Sequence, residues 1–373
     1  DLERAKSLID NGVDLLVIDT AHGHSEKVLK TLSKIKKIVK KIPIMRLIIY
    51  SLLTVFFFSC GKEGCTDPLA TNYDSNAKKE DNSCNYCYTD QVLDNSRGEC
   101  DQTLNFNSLY NETIQGNNRI ITANSIPNHA VGLFGPVMGS LNPNSISPQN
   151  ESYTIPLDPI EANEFTSLLG TSGTDLGPQY SFGILFNGVE LDPVAAEPFP
   201  HEGMNSSNAN WVWNLEALNV NLGVDCNNAH VQPNGKYHYH GTPTSYLNSL
   251  NASSTTMTLI GYAADGFPVY YKYAYSLANN SSSNVSIMTS SYQLKSGNRP
   301  GDGDSAPCDS YNGIYSNDYE YVYGLGTLDE ANGRNGVTPE YPSGTYYYLI
   351  TDEFPSIPRY LRGTPSEDFK IGP

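Results

Sequence analysis

The sequence predicts a mainly β protein: a single large antiparallel β-rich domain, sandwich-like or barrel-like, preceded by a small disulfide module and an isolated α/β fragment. Three observations carry this. Gly, Pro and Tyr are abundant, at 31, 23 and 26 of 373 residues. Beyond about residue 106, apolar stretches such as SYTIPL, YSFGILFNG, ANWVWNLEAL, KYHYHG, MTLIGYAADGFPVYYKY, YVYGLG and GTYYYLIT alternate with turn signals such as NPNS, DLGP, NSSSN and RPGDGD. No helix of ordinary length is forced by pattern in that region, and no fixed repeat occurs. The formal charge of -17 argues against nucleic acid and anionic lipid surfaces as partners.

Residues 1–38 differ in texture. LERAKSLIDNG carries the helical spacing Leu2, Ala5, Leu8 and Ile9 and stops at Gly12, VDLLVID reads as a buried strand, and Ser25 can cap a helix through Leu29, Leu32 and Ile35. The stretch VIDTAHGHS resembles inosine monophosphate dehydrogenase at a barrel strand. The resemblance implies for Asp19 a contact to the nicotinamide ribose. The Gly-rich phosphate loop and the catalytic cysteine loop of that family do not follow, and one strand cannot make a barrel of eight. NAD binding and dehydrogenase activity are therefore not expected, and the fragment reads as an inactive remnant.

Residues 39–60 read as a linker and export signal. Met45 and Arg46 precede the apolar run Leu47–Phe58, which is short for a membrane span and is followed by Ser59-Cys60. This end resembles a bacterial lipoprotein cleavage site, which implies lipidation of Cys60 and an envelope location, lipid-anchored or secreted. The membrane would then be met only through that anchor.

Residues 61–105 form a Cys-rich module. Its segment 64–86, GCTDPLATNYDSNAKKEDNSCNY, resembles a short Cys-bounded module of Bacteroidetes-type surface proteins. Six cysteines follow Cys60 and fall by position into Cys65, Cys84, Cys87 and Cys100 on one side and Cys226 and Cys308 on the other. An even number in an oxidising compartment is read as a disulfide set, with three pairings open for the first four. Asp67, Asn72, Asp74, Asn76 and Asp81 offer oxygen ligands for Ca, against the simpler reading as solvated turn residues.

Within the large domain, 106–373, NGKYHYHGTP places His238 and His240 two positions apart. On an extended strand both point to one face, with Tyr237 and Tyr239 on the other. His230 lies eight positions earlier across QPNG and can return opposite them as a third ligand if the segments form a hairpin. Imidazole nitrogens favour Zn, Cu or Fe. His129, His201, Glu202 and Asp265 are further candidates, Asp265 either capping its own turn or orienting one of the strand histidines. The alternative is a packed polar cluster in which each imidazole donates to a carbonyl and accepts from a hydroxyl. Trp211 and Trp213 leave their strand on one side, where they either fill the core or stack on a ligand.

YHYH, CNNAH at 226–230, GYAADGFPVY, LDEANGRNGVTPEYPSGTYYYLITDEFP and RYLRGTP together resemble the YHYH-domain family over about 107–373. That resemblance implies export and a common fold, without a settled activity. No G-x-S-x-G or H-E-x-x-H motif is present. Two functions are expected side by side. One is an exported envelope protein binding a transition metal through clustered histidines; if it is an enzyme, Asp265 or Glu202 orients a ligand or water. The other is a surface module binding a glycan or protein through aromatic contacts, with its histidines only structural. The partners expected are an envelope component, a glycan or a small molecule.

Overall fold

Eight short strands build the sheet that carries the histidines: β1 (Gly183–Leu185), β2 (Glu190–Leu191), β3 (Ala229–Val231), β4 (Tyr237–Tyr239), β5 (Leu259–Ala263), β6 (Pro268–Tyr271), β7 (Gly333–Gly336) and β8 (Thr345–Ile350). The computed structural model describes residues 62–372 apart from 69, 71, 85, 86 and 88–90. The expectations for residues 1–60, including Asp19 and Cys60, lie outside the described residues.

The sheet order is β3-β4-β2-β1-β5-β6-β8-β7. Neighbours are antiparallel except β4–β2 and β6–β8, which are parallel. The antiparallel expectation thus holds for most pairs. It fails where the chain leaves the sheet for a long excursion, residues 192–228 and 272–332, and returns at an edge as β3 or β7, whose hairpin then sets β4 parallel to β2 and β8 parallel to β6. A separate three-stranded antiparallel meander is formed by Tyr110–Gln115, Asn118–Ala123 and Glu151–Pro156. Among the described residues the single α-helix is α1 (Thr244–Ser249), and no helix is long and apolar enough to cross a membrane.

The central strands are covered on both faces, so their apolar residues run almost continuously. β4 and β8 bury nearly every side chain, as sheets packed on both sides require. Gly183 and Gly261 stand where β1 and β5 approach closely. A Cβ on Gly261 would lie 2.2 Å from the Ile184 carbonyl oxygen, and one on Gly183 would lie 2.3 Å from that of Tyr262.

The tyrosine-rich composition has its explanation in this sheet. Tyr237, Tyr239, Tyr270, Tyr346 and Tyr348 are buried, and a buried phenol needs a hydrogen-bond partner. Tyr237 donates to Asp225 (2.8 Å), Tyr348 to Asp265 (2.5 Å), Tyr346 to Asp329 (3.0 Å) and Tyr270 to Glu340 (2.7 Å). The core is therefore built partly from phenol–carboxylate pairs.

The disulfides are Cys65–Cys84, Cys87–Cys308 and Cys100–Cys226. Only the first joins two of the four clustered cysteines, so the expected division into four and two does not describe the pairing. The reason is that residues 94–102 already run along the large domain. Gly98 bridges to Asp225 and Gln102 to Val131, which carries Cys100 to Cys226.

Trp211 and Trp213 are 4% and 5% exposed, whereas Val212 between them is 43% exposed. The indoles share one side as expected, but that side faces inward. Trp211 packs over Gly177, and Trp213 meets Tyr315 edge-on at 5.8 Å between ring centres. Neither offers a stacking face to a ligand.

Candidate metal centre

β3 and β4 form the hairpin that the QPNG turn calls for. Gly235 N–H donates to the Gln232 carbonyl (2.8 Å), Gln232 N–H donates to the Lys236 carbonyl (3.0 Å), and Gly235 takes a φ of +89°. This is the three-residue hairpin loop in which a glycine closes the turn. Its register sets His230 directly opposite His238, so the two side chains share a face. His240 lies two positions on, and its N–H continues the ladder to the Asn228 carbonyl (2.7 Å).

Three imidazoles converge on that face, with ring centres 4.6 to 4.8 Å apart. His240 Nε2 lies 3.0 Å from His238 Nε2 and 3.1 Å from His230 Nε2. His238 and His240 are buried and His230 nearly so. His230 Nδ1 donates to the Leu222 carbonyl (2.9 Å) and His238 Nδ1 to the Lys236 carbonyl (3.3 Å). Those bonds place the hydrogens on Nδ1 and leave both Nε2 lone pairs aimed at His240. His240 Nδ1 is buried without a hydrogen bond. One hydrogen on His240 Nε2 would face two lone pairs, whereas a cation at the centre would satisfy all three nitrogens.

The two nitrogen–nitrogen distances to His240 suit such an ion, and the three ligand atoms all lie within 4.8 Å of one another. Metal–nitrogen bonds of about 2.0–2.1 Å in tetrahedral geometry put ligand nitrogens about 3.3 Å apart. Burial holds all three imidazoles neutral, the state a ligand needs: the His230 pKa is lowered by desolvation, and those of His238 and His240 are pushed well below the usual value by desolvation and then by the His230 charge. Of the alternative hydrogen-bonded cluster, the carbonyl half forms at His230 and His238, but no hydroxyl is bonded to the three Nε2 atoms. The Tyr237 and Tyr239 hydroxyls lie across the sheet, and the histidine lone pairs meet one another.

The remaining candidates lie elsewhere. His129 is on the tyrosine side, where its Nε2 accepts from the Tyr239 hydroxyl (2.6 Å) and its Nδ1 donates to the Ala130 carbonyl (2.8 Å). His201 stacks on Tyr315 at 5.9 Å between ring centres. Glu202 is exposed and accepts from Ser206 (3.0 Å) and Asn208 (3.4 Å). Asp265 orients neither histidine: its carboxylate takes the Phe267 and Gly363 N–H groups and the Tyr348 hydroxyl, the turn role it was also expected to fill. In the small module, Asp74 pairs with Lys62 and accepts from Asn76 N–H, and Asp81 accepts from Ser83 N–H. Cys65, Glu80 and Cys84 come close together there, but the two sulfurs are bonded to each other.

Asp192 is the residue that sequence reasoning missed. The parallel pairing sets Glu190 beside His238, and Asp192 N–H donates to the Tyr239 carbonyl (2.9 Å), which puts Asp192 on the histidine face. It is 3% exposed; Gln232 Nε2 donates to its Oδ2 (3.2 Å), the Val194 N–H lies beside the carboxylate, and its Oδ1 makes no hydrogen bond of good geometry. Its pKa is raised to about 7 by burial and then by Glu190, against the pull of Lys236 and Arg359. The signal was the alternation of Glu190 and Asp192 in VELDP, which names no partner strand. A cavity of about 650 Å³ opens in front of the three imidazoles and includes Asp192, Gln232 and Lys236 in its wall.

Comparison with known proteins places these residues. A family model described as YHYH protein matches residues 152–363, and one described as IMP dehydrogenase / GMP reductase domain matches residues 1–48. The inosine-5'-monophosphate dehydrogenase of Rhizobium tropici is 58% identical over 43 residues, 12% of this chain and 9% of that protein. That of Rhodopirellula baltica is 60% identical over 37 residues, 10% of this chain and 7% of that protein. The chain spans less than a tenth of the length of these curated relatives, and no solved structure matches. With the family model matched over more than half of its length, and with the name-giving motif forming the strand that carries two of the three converging imidazoles, the chain belongs to the YHYH protein family.

Proposed function

We propose that this protein is an exported envelope protein whose YHYH domain binds a transition metal ion through Nε2 of His230, His238 and His240. The observation that carries the reading is the convergence of three buried imidazoles whose Nε2 atoms have no oxygen partner, two of them with Nδ1 already given to backbone carbonyls. Three neutral nitrogen donors suit Zn, Cu or Fe better than Ca or Mg. The cavity in front of them leaves room for a ligand at a further coordination position, the arrangement of a reactive or ligand-binding site more than of a closed structural one.

The test is elemental mass spectrometry on the full chain purified from an oxidising compartment. Stoichiometric transition metal is expected in the wild type, and its loss in the His238→Ala/His240→Ala double variant, with disulfides and circular dichroism unchanged. A wild type that stays metal-free after exposure to zinc, copper and iron salts would sink the reading.

Export and lipid anchoring at Cys60 rest on the sequence of residues 45–60. The three disulfides support them, since such bonds persist in oxidising compartments. Expressed with its signal in a bacterium, the wild type is expected in the detergent phase after phase separation and Cys60→Ser in the aqueous phase; equal partitioning of the two would remove the anchor. The surface-binding alternative loses its proposed platform, because Trp211 and Trp213 are buried. No dehydrogenase activity is assigned to residues 1–48.

A further inference from the structure

The cavity before the imidazoles has two unlike parts. Its deep end is polar and contains the one carboxylate oxygen on the histidine face that is buried without a hydrogen bond of good geometry, Asp192 Oδ1. Its mouth is apolar: Leu176, Met204 and Ile371 line it and are 42%, 51% and 42% exposed, with Val194 and Leu222 further in. Large apolar side chains left open around a pocket mark a surface that a ligand covers.

The charges in the wall narrow the class of ligand. Lys236 is the basic residue of that wall, and its Nζ is held by Glu190 (2.8 Å) and Glu151 (3.3 Å). Arg359, close enough to act on Asp192, gives Nη2 to Glu216 (2.7 Å) and keeps Nε and Nη1 buried without a hydrogen bond, but it lines a separate cavity and not this wall. Asp192 and Glu197 add acidic groups to the wall. Apart from the ion itself, no cation of this wall is left over for an anionic ligand, and the two carboxylates oppose one. A neutral compound with one hydrogen-bond donor fits better: the donor answers Asp192 Oδ1, and a hydrocarbon body covers the apolar mouth.

We propose that the cavity binds an uncharged compound bearing a hydroxyl group on an apolar body, an alcohol or phenol, with its O–H donating to Asp192 Oδ1 and its oxygen lone pair turned toward the metal held by His230, His238 and His240. The proposal rests on the metal reading above and adds to it the class of ligand and the role of Asp192 as a ligand-positioning residue. No bond to carbon is made or broken in this step.

The experiment uses the full chain loaded with cobalt(II), whose visible spectrum reports changes at the ion, titrated with phenol, anisole and benzoate. A saturable spectral change is expected with phenol. Anisole, which lacks the O–H, and the benzoate anion are expected to bind about tenfold or more weakly, the usual consequence of losing one hydrogen bond to a charged group. Asp192→Asn is expected to keep its cobalt and to weaken phenol by a similar factor. A wild type that binds neither cobalt nor zinc, copper or iron overturns the metal reading itself. Cobalt that binds while phenol leaves the spectrum unchanged, or anisole or benzoate that matches phenol, overturns the ligand class with the metal reading intact. The ligand comparison uses the wild type alone, so it decides the matter even if Asp192→Asn does not fold.

Discussion

Stripped of metal with a chelator, the protein is expected to lose stability steeply as pH falls below about 6.5, the ordinary imidazole pKa, and a His238→Leu/His240→Leu variant is expected to lose much of that slope. Both imidazoles have folded-state pKa values well below the ordinary value, because burial and the neighbouring His230 penalise the charged form. Between the folded and unfolded values the unfolded chain holds the extra protons. Their contribution is therefore fully present above the unfolded pKa and is lost as pH falls toward the folded one. Each imidazole kept neutral in the fold adds roughly 1.4 kcal/mol per pH unit to the slope, so the pair adds about 2.7.

Buried Asp192, Asp225 and Asp265 have raised pKa values and act in the opposite sense. They are common to both proteins, so the difference between wild type and variant isolates the histidines. Urea midpoints measured at pH 8, 7, 6 and 5 in the presence of a chelator give that difference directly. Parallel curves for the two proteins would mean that the imidazoles titrate normally and are not enclosed as the hairpin indicates.

The second large effect is expected outside the histidine cluster. Arg299 and Asp318 form an ion pair in which both side chains have 0% exposure. The guanidinium Nε and Nη2 donate to the two Asp318 oxygens (2.7 Å each), Nη2 also to Asn312 Oδ1 (2.6 Å), and Nη1 to the Cys308 carbonyl (3.0 Å). The pair fastens the loop holding the Cys87–Cys308 disulfide to the short turn at Ser316–Asp318. Arg299→Met leaves Asp318 buried without its counter-charge, held only by backbone N–H groups such as that of Gly313 (2.9 Å), and such a loss costs about 3–5 kcal/mol. Replacing both partners, Arg299→Met with Asp318→Asn, is expected to recover a good part of it, since the amide carries no charge and its oxygen can still accept from the Gly313 N–H. Urea denaturation of the single and double variants tests this. A single variant within 0.5 kcal/mol of wild type, about the range of ordinary surface changes, would show that water reaches Asp318.

The histidine hairpin could be read in the sequence because everything that shapes it is local. Strand alternation sets His238 and His240 on one face, and the QPNG turn returns His230 opposite them, all within eleven residues. Asp192 could not be read in this way. It reaches the site through a parallel pairing of β2 with β4, and no pattern near residue 192 announces which strand will lie beside it. The tyrosines present the same difficulty: Tyr348 was legible as a strand residue, but its bond to Asp265 joins positions 83 apart, and that bond takes Asp265 out of the metal site. For Trp211 and Trp213, alternation gave the shared side but not which side was covered. The disulfides followed the path of residues 94–102 along the large domain, which depends on tertiary bridges and not on spacing.

The closeness of the three histidines along the chain also bears on what bound metal can do for stability. A ligand stabilises a fold only to the extent that it prefers the folded chain to the denatured one. Here the denatured chain still carries all three imidazoles on a short tether, so it competes for the ion with nothing to reassemble but a turn. Tight binding would therefore coexist with a modest rise in melting temperature, and a thermal-shift assay would underreport the affinity of this centre.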